Sequence, residues 1–219
     1  MSQRKIKDLV VTEDPAITLI QQWVRDAEVQ CELLPPGAER ENALLYLQVT
    51  TRSPLGAMAY DTGGLLIDDG WLRLLGSGHE KLPRTLHGWN ATRTDGTFYL
   101  VGDDAAGGFF AINGGALGSE MGSVYYLAPD RLEWESLGAG FTDFMAAFLT
   151  NYLNDFYKDL RWSTWREDSR NLSSDDCFFH FPFLWTKEGS LEGSQRSVVP
   201  VSQVWNVQVG AARQILGEG

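Results

Sequence analysis

Apolar positions along this chain recur at helical spacing first, at strand spacing next, and at helical spacing again. Ile17, Ile20, Val24 and Ala27 fall three or four apart, with Leu19 and Trp23 beside them. That spacing predicts an amphipathic helix. Asp14 is placed to cap it and Pro15 suits its first turn. The run Leu33-Leu34-Pro35-Pro36-Gly37 is a breaker by which it should have ended. A second helical stretch is expected from near Glu39 through Leu44, Leu45 and Leu47, before Val49-Thr50-Thr51 turns the preference toward strand. Ser53-Pro54 then reads as cap and first position of a short helix that stops at Gly63-Gly64.

From there the period shortens. Leu65-Leu66-Ile67-Asp68 reads as a strand, Asp69-Gly70 as a tight turn, and Trp71-Leu72-Arg73-Leu74-Leu75 as the returning strand. Strand signals recur at residues 97–101, 109–112 and 124–127, punctuated by Gly102, Gly107, Gly108, Gly114, Gly115, Gly118 and Gly122. This is the spacing of an antiparallel meander. A long helix is expected from about Phe141 to Tyr157, with Thr142 as its cap. Phe144, Phe148, Tyr152 and Phe156 lie four apart, with Met145, Leu149 and Leu153 in the next row. Such a stripe should pack on the sheet, at roughly 1.5–3 kcal/mol for each large side chain buried. After Leu160 the chain reads as aromatic and irregular, from Trp162 and Trp165 through Phe178, Phe179, Phe181, Phe183 and Trp185. A loop at residues 189–194 and a last helix over about 202–215 close it.

Composition adds limits. The 219 residues are 43% apolar and 21% charged, the range of a globular chain, and 26 aromatic side chains supply a core. Cys31 and Cys177 form no disulfide scaffold and sit at no zinc spacing. The polar, basic N-terminus lacks a secretion signal, and no window approaches a membrane span. A cytoplasmic protein with reduced thiols is therefore expected. The net charge of −11 argues against nucleic acid as a partner. Between Asp95 and Glu135 the acids Asp95, Asp103, Asp104, Glu120, Asp130, Glu133 and Glu135 face a lone Arg131. Such a stretch can steer a basic partner or serve as a solvated surface.

Chemistry is sparse. Asp103-Asp104 before Gly107-Gly108 offers paired carboxylates in a glycine loop, but without the alternating oxygen ligands of a calcium site; turn stabilisation is the simpler reading. No phosphate loop is present, because Lys-Ser/Thr does not follow Gly107-Gly108. Asn113-Gly114-Gly115 reads as a sharp turn needing positive φ. A triad of Ser77, His79 and Asp103 lacks a nucleophile-elbow sequence, and Cys177 with His180 three residues on is no thiol site. Trp71, Arg73, Trp89 and Asn90 have the composition of binding hot spots, although Trp71 and Arg73 also fit a single packed strand face. No metal, cofactor or catalytic set is assigned.

Several runs resemble one family. They are residues 51–57 (Thr51-Arg52-Ser53-Pro54-Leu55-Gly56-Ala57), residues 62–78 from Thr62-Gly63-Gly64 to Gly76-Ser77-Gly78, residues 107–118, and Tyr125-Tyr126-Leu127-Ala128-Pro129-Asp130-Arg131-Leu132-Glu133-Trp134-Glu135. They resemble the bacterial domain-of-unknown-function family 2625 from about Leu9 to Leu216. The order of a short helix ending in a glycine pair, a strand meander and a Phe-rich helix is similar to the SUKH superfamily. That resemblance implies a role like its bacterial immunity proteins, which bind and neutralise toxins, or its eukaryotic cell-wall regulators and adaptors.

The sequence thus predicts one α+β domain over residues 1–219, with a core of about 9–160 and an aromatic extension of about 161–219. A twisted, mostly antiparallel sheet should carry helices on one side, SUKH-like, and the tail should wrap an edge. The expected function is a non-catalytic protein-binding module, immunity-like or adaptor, with a basic protein partner and no membrane or nucleic acid. Two alternatives stand beside it: a small-molecule or ion-binding protein using the glycine-rich loops, and an enzyme with a carboxylate or histidine site. The candidate binding residues are Asp103, Asp104, Glu120, Trp71, Arg73, Trp89, Asn90 and Asn113.

Overall fold

A computed structural model describes residues 3–91 and 98–216. Asp95 and Thr97, singled out from the sequence, lie outside the described residues. The chain opens with α1 (Ile6–Leu9) and α2 (Ala16–Arg25), crosses β1 (Cys31–Leu34), and continues through α3 (Arg40–Leu47) and α4 (Pro54–Asp61). The meander follows as β2 (Gly64–Ile67), β3 (Leu72–Leu75), a short α5 (Leu86–Ala91), β4 (Phe98–Asp104), β5 (Phe109–Asn113), β6 (Ser123–Leu127) and β7 (Trp134–Gly140). Next come α6 (Phe141–Phe148), α7 (Tyr152–Tyr157) and α8 (Trp165–Ser169). A hairpin of β8 (Asp176–Phe181) and β9 (Gln195–Pro200), then α9 (Val201–Leu216), completes the described chain. Strands β1 to β7 pair antiparallel in sequence order, so the fold is α+β with helices packed alongside an antiparallel sheet.

Local signals explain much of this. Ser53 Oγ accepts the Gly56 amide at 3.1 Å with Pro54 in the first turn, so α4 starts where the sequence places it. Asp14 does not cap α2. It takes a positive φ of 55°, Pro15 holds the cap position, and the Ala16 amide is satisfied by Thr51 O at 2.9 Å instead. Thr142 is likewise no cap: Gly140 is, because Phe141 belongs to the helix and to the core.

The single helix expected over residues 141–157 is two. Glu28 causes the break. Its amide bonds Leu149 O at 2.9 Å and its carboxylate accepts the Asn151 amide at 2.8 Å, while Thr150 Oγ donates to Ala147 O. These contacts take over backbone groups that a continuous helix would need. The aromatic row survives only in part. Phe144 and Phe148 are buried against Phe110, but Tyr152 turns toward solvent at 47% exposure.

Strand alternation sorts the sheet into two buried faces. Phe110 and Tyr126 stack at 4.5 Å on the first, under α6 and α7. Phe109, Ala111, Leu100 and Leu127 lie on the second, against Cys177, Val201 and Val204. The expectation of helices on one side and a tail around an edge is therefore corrected. The hairpin and α9 cover the second face, and the region read as irregular contains a six-residue register from Asp176↔Pro200 to Phe181↔Gln195. The β2–β3 turn also differs. Asp68, Asp69 and Gly70 all have positive φ, and Trp71 belongs to the turn rather than to β3.

Candidate functional site

The second sheet face carries one row of directly opposed residues: Leu66, Arg73, Asp103, Phe109, Leu127 and Trp134, one from each of β2 to β7. Arg73 and Asp103 are thus a cross-strand pair. Arg73 Nε lies 2.9 Å from Asp103 Oδ1, with both side chains 1% exposed. Arg84 grips the same carboxylate with Nη1 and Nη2 and holds Asp175 through Nε at 3.0 Å. Arg73 Nη1 donates to Ser174 O at 2.8 Å and Asp176 O at 2.6 Å. Burial alone would lower the Arg84 pKa, but Asp103 and Asp175 outweigh it and hold the guanidinium above its ordinary range. The cluster therefore fastens residues 173–176 and the start of β8 to the meander.

Asp104, one residue on, points to the other face. Its Oδ1 accepts the Gly108 amide at 2.8 Å, and its Oδ2 accepts Tyr126 OH at 2.7 Å and Tyr157 OH at 3.1 Å. Burial pushes the carboxyl pKa up, and the donors pull it only partly back. Gly108 is required here, since a Cβ would collide with Tyr126 and the Asp104 carboxylate. The reading of Asp103 and Asp104 as surface acids is corrected: both are fully buried.

The remaining candidates separate. Trp71 is buried, edge-on to Trp165 at 4.8 Å and against Tyr157 and Trp162, with the Arg161 guanidinium 4.9 Å from its ring. Arg161 in turn bonds Asp68 at 2.5 Å. Asn90 clasps β4: its amide donates to Leu86 O and Leu100 O, and its oxygen accepts the Leu100 amide at 2.9 Å. Asn113 does the same for its loop. It accepts from Gly115 and Leu117 and donates to Gly118 O and Glu120 O, while Gly115 supplies the expected positive φ of 123°. Trp89 is half-buried beside Arg84, 5.4 Å from its guanidinium. Glu120 alone is exposed, hydrogen-bonded to Ser136. Ser77 Oγ is bound to Thr62 O at 2.6 Å. Cys177 and His180 alternate to opposite faces of β8.

What the sequence reading missed lies after β8. A cis Phe181–Pro182 bond leads into a loop on which Phe183 and Trp185 stack at 4.6 Å. Phe181 packs against Phe183 at 5.7 Å and stays 67% exposed. Pro129 lines one cavity with Leu184 and Trp185. This brings the β6–β7 turn beside the aromatic loop, with Asp130 and Glu133 exposed on it; Glu135 lies on β7 opposite Tyr126, on the first face, and pairs with Arg131. The signal was the aromatic density around Pro182, visible in the sequence but assigned no role.

Burial governs the titratable groups nearby. It raises both thiols to about 12: Cys31, also opposed by Asp68, and Cys177. Both are free. In native protein each should react with iodoacetamide far more slowly than in urea, read by mass spectrometry; equal rates would contradict their burial. Burial, then Arg196, lowers His180 to about 4. The unfolded imidazole protonates first, so stability is whole above an unfolded pKa of roughly 6.5 and is lost as pH falls toward the folded value. The urea midpoint should fall between pH 7 and pH 4.5 by more in wild type than in His180→Phe. The difference should be on the order of 2 kcal/mol.

Comparison with known proteins places these features in a family. The family model for protein of unknown function DUF2625 matches residues 6–204. The chain belongs to the DUF2625 family. It is 46% identical to YbfG of Escherichia coli strain K12 over 94% of this chain and 95% of that protein. It is 39% identical to an uncharacterized protein of Haemophilus influenzae strain Rd over 82% of each. No solved structure matches it. Among the described residues no helix is long and apolar enough to cross a membrane, and no group of three or more His, Cys, Asp and Glu is placed to hold a metal ion.

Proposed function

We propose that this DUF2625 chain is a cytoplasmic, non-catalytic protein-binding module with a SUKH-like fold, and that it recognises a basic protein through the aromatic loop after β8. One observation carries the reading: Phe181 is 67% exposed at the tip of a stacked aromatic group, flanked by the acidic β6–β7 turn. Exposed aromatic clusters mark interaction surfaces, and aromatic anchors dominate binding energy. Asp130 and Glu133 on that turn favour a partner rich in Lys or Arg. The order of α4, meander and α6 supports the SUKH likeness. The glycine-rich loops favour no ligand, because Asp104 and Asn113 already bind their amides internally.

Immunity proteins and adaptors share this requirement; a toxin gene beside the gene for this chain would favour the first. A displayed library of random short peptides, panned on the protein, tests the surface itself. Selected peptides should combine basic and apolar residues. Phe181→Ser/Trp185→Ser should weaken their binding about tenfold or more. Asp130→Ser/Glu133→Ser should mainly slow association and flatten its salt dependence. Binding indifferent to the aromatic substitutions would overturn the proposal.

A further inference from the structure

The hairpin of β8 and β9 has one covered edge and one open edge. The Val201 amide donates to Asp175 O at 2.9 Å, and these two residues continue the register that pairs Pro200 with Asp176. Antiparallel pairs alternate between bonded and non-bonded. Val199–Cys177, Ser197–Phe179 and Gln195–Phe181 are therefore the bonded pairs. Arg196 and Val198 on β9, and Phe178 and His180 on β8, turn their amides and carbonyls away from the hairpin. On β8 that side is covered: the Phe178 amide donates to Ala105 O at 2.8 Å, and Asp176 O accepts from Arg73. On β9 no hydrogen bond reaches the Arg196 or Val198 backbone among the described residues, and Val198 is 56% exposed. Sheet edges are usually protected, and the ends of the seven-stranded sheet are. β1 is four residues long and runs into Pro35-Pro36. The β6–β7 pairing shifts register, and Gly138 takes a positive φ of 65°. β9 runs six residues without a register shift, and its proline stands last.

We infer that the free edge of β9 receives an extended segment of a basic protein as an added strand, paired to the amides and carbonyls of Arg196 and Val198. Open backbone groups at every second residue select an extended chain as the occupant. Charge selects its class. A cleft of about 480 Å³ on the Arg196 face of the hairpin is lined by Asp168, Phe178, Glu192 and Arg196. The Arg196 guanidinium lies 3.6 Å from Asp168 and rests on the Trp162 ring. Glu192 accepts from Ser163, and no cation pairs with it among the described residues. A Lys or Arg on the added strand would supply one. A second copy of this chain fits less well, because it brings a net charge of −11 and an Arg196 already paired with its own Asp168. Gln195, at the end of β9, lies opposite Phe181, so the added strand would run on toward the aromatic loop. The inference rests on the proposed recognition of a basic protein at that loop and adds how the partner's backbone is held.

Peptides recovered from the random library and resynthesised are the probe, with the full chain as target. Val198→Pro removes an amide from the open edge and none from the ladder with β8, a position at which strands accept proline. It should weaken peptide binding about tenfold or more, with the urea midpoint near that of wild type. Methylating the peptide amides one at a time leaves the protein untouched, and alternate positions should lose binding. These peptides decide alone if Val198→Pro lowers the urea midpoint. Glu192→Gln keeps an acceptor for Ser163 and removes the charge. It should weaken binding about threefold or more at low salt and less at high salt; indifference would overturn the basic class. Binding that survives Val198→Pro and every methylation overturns the added strand, and if it still falls with Phe181→Ser/Trp185→Ser the aromatic surface stands without it. Loss with Val198→Pro but not with the aromatic pair keeps the strand and removes the aromatic reading. A library that yields no binder overturns both. A dimer in sedimentation that Val198→Pro dissociates would assign the edge to a second copy and overturn the inference.

Discussion

Asp103→Ala is expected to lose about 3–5 kcal/mol of stability, because it leaves two buried guanidinium groups without their common counter-ion. Arg73 is 1% exposed, and it and Arg84 both meet the Asp103 carboxylate. The loss should appear as a lower urea midpoint. It should be accompanied by faster protease cleavage of residues 173–200, since the same arginines hold the Ser174 and Asp176 carbonyls. Replacing Arg73 and Arg84 by Met together with Asp103→Ala should recover part of the loss, because the whole charged cluster is then gone rather than half of it. A midpoint within about 0.5 kcal/mol of wild type for Asp103→Ala would mean that the carboxylate faces solvent.

Phe148→Ala should cost about 3–5 kcal/mol by opening a cavity at the centre of the first sheet face. The ring is 2% exposed and touches Phe144 at 4.6 Å, Phe156 at 4.8 Å, Tyr152 at 5.4 Å and Phe110 at 5.8 Å. It therefore joins α6, α7 and β5. A Phe148→Leu variant should lose clearly less, since most of the volume remains. A denaturant midpoint for Phe148→Ala equal to that of wild type would show that this helix does not face the core.

Signals local to a few residues were legible in the sequence. Ser53-Pro54 specified a cap, Asp69-Gly70 marked the β2–β3 turn, and alternating apolar runs with glycine punctuation specified a meander. Phe144 and Phe148 at helical spacing named the core. What failed depended on distant residues. The helix break at Thr150 is fixed by Glu28, more than a hundred positions earlier.

The candidate site failed for a related reason. A polar residue on an antiparallel strand ordinarily faces water on the open side of a sheet. Asp103 and Arg73 are on that side, but β8 and α9 cover it. Two adjacent aspartates then read as one surface feature although alternation sends them to opposite buried faces. Asn90 and Asn113 looked like binding residues because a clasp on the backbone and a contact to a partner use the same side-chain chemistry. The aromatic loop was visible as composition, but only the pairing of β8 with β9 shows that Phe181 emerges at the tip while Phe178 stays inside.

The central claim is that partner contact occurs at this aromatic loop rather than at the buried acids. Site-specific photo-crosslinking in cells that make the protein tests it most directly. A benzophenone amino acid would replace Phe181 or Trp185, with Leu19 and Met121, exposed at 44% and 73%, as control positions. The account predicts a discrete protein adduct from positions 181 and 185 and none from 19 or 121. Adducts confined to 19 or 121, or no adduct at 181 and 185, would contradict it.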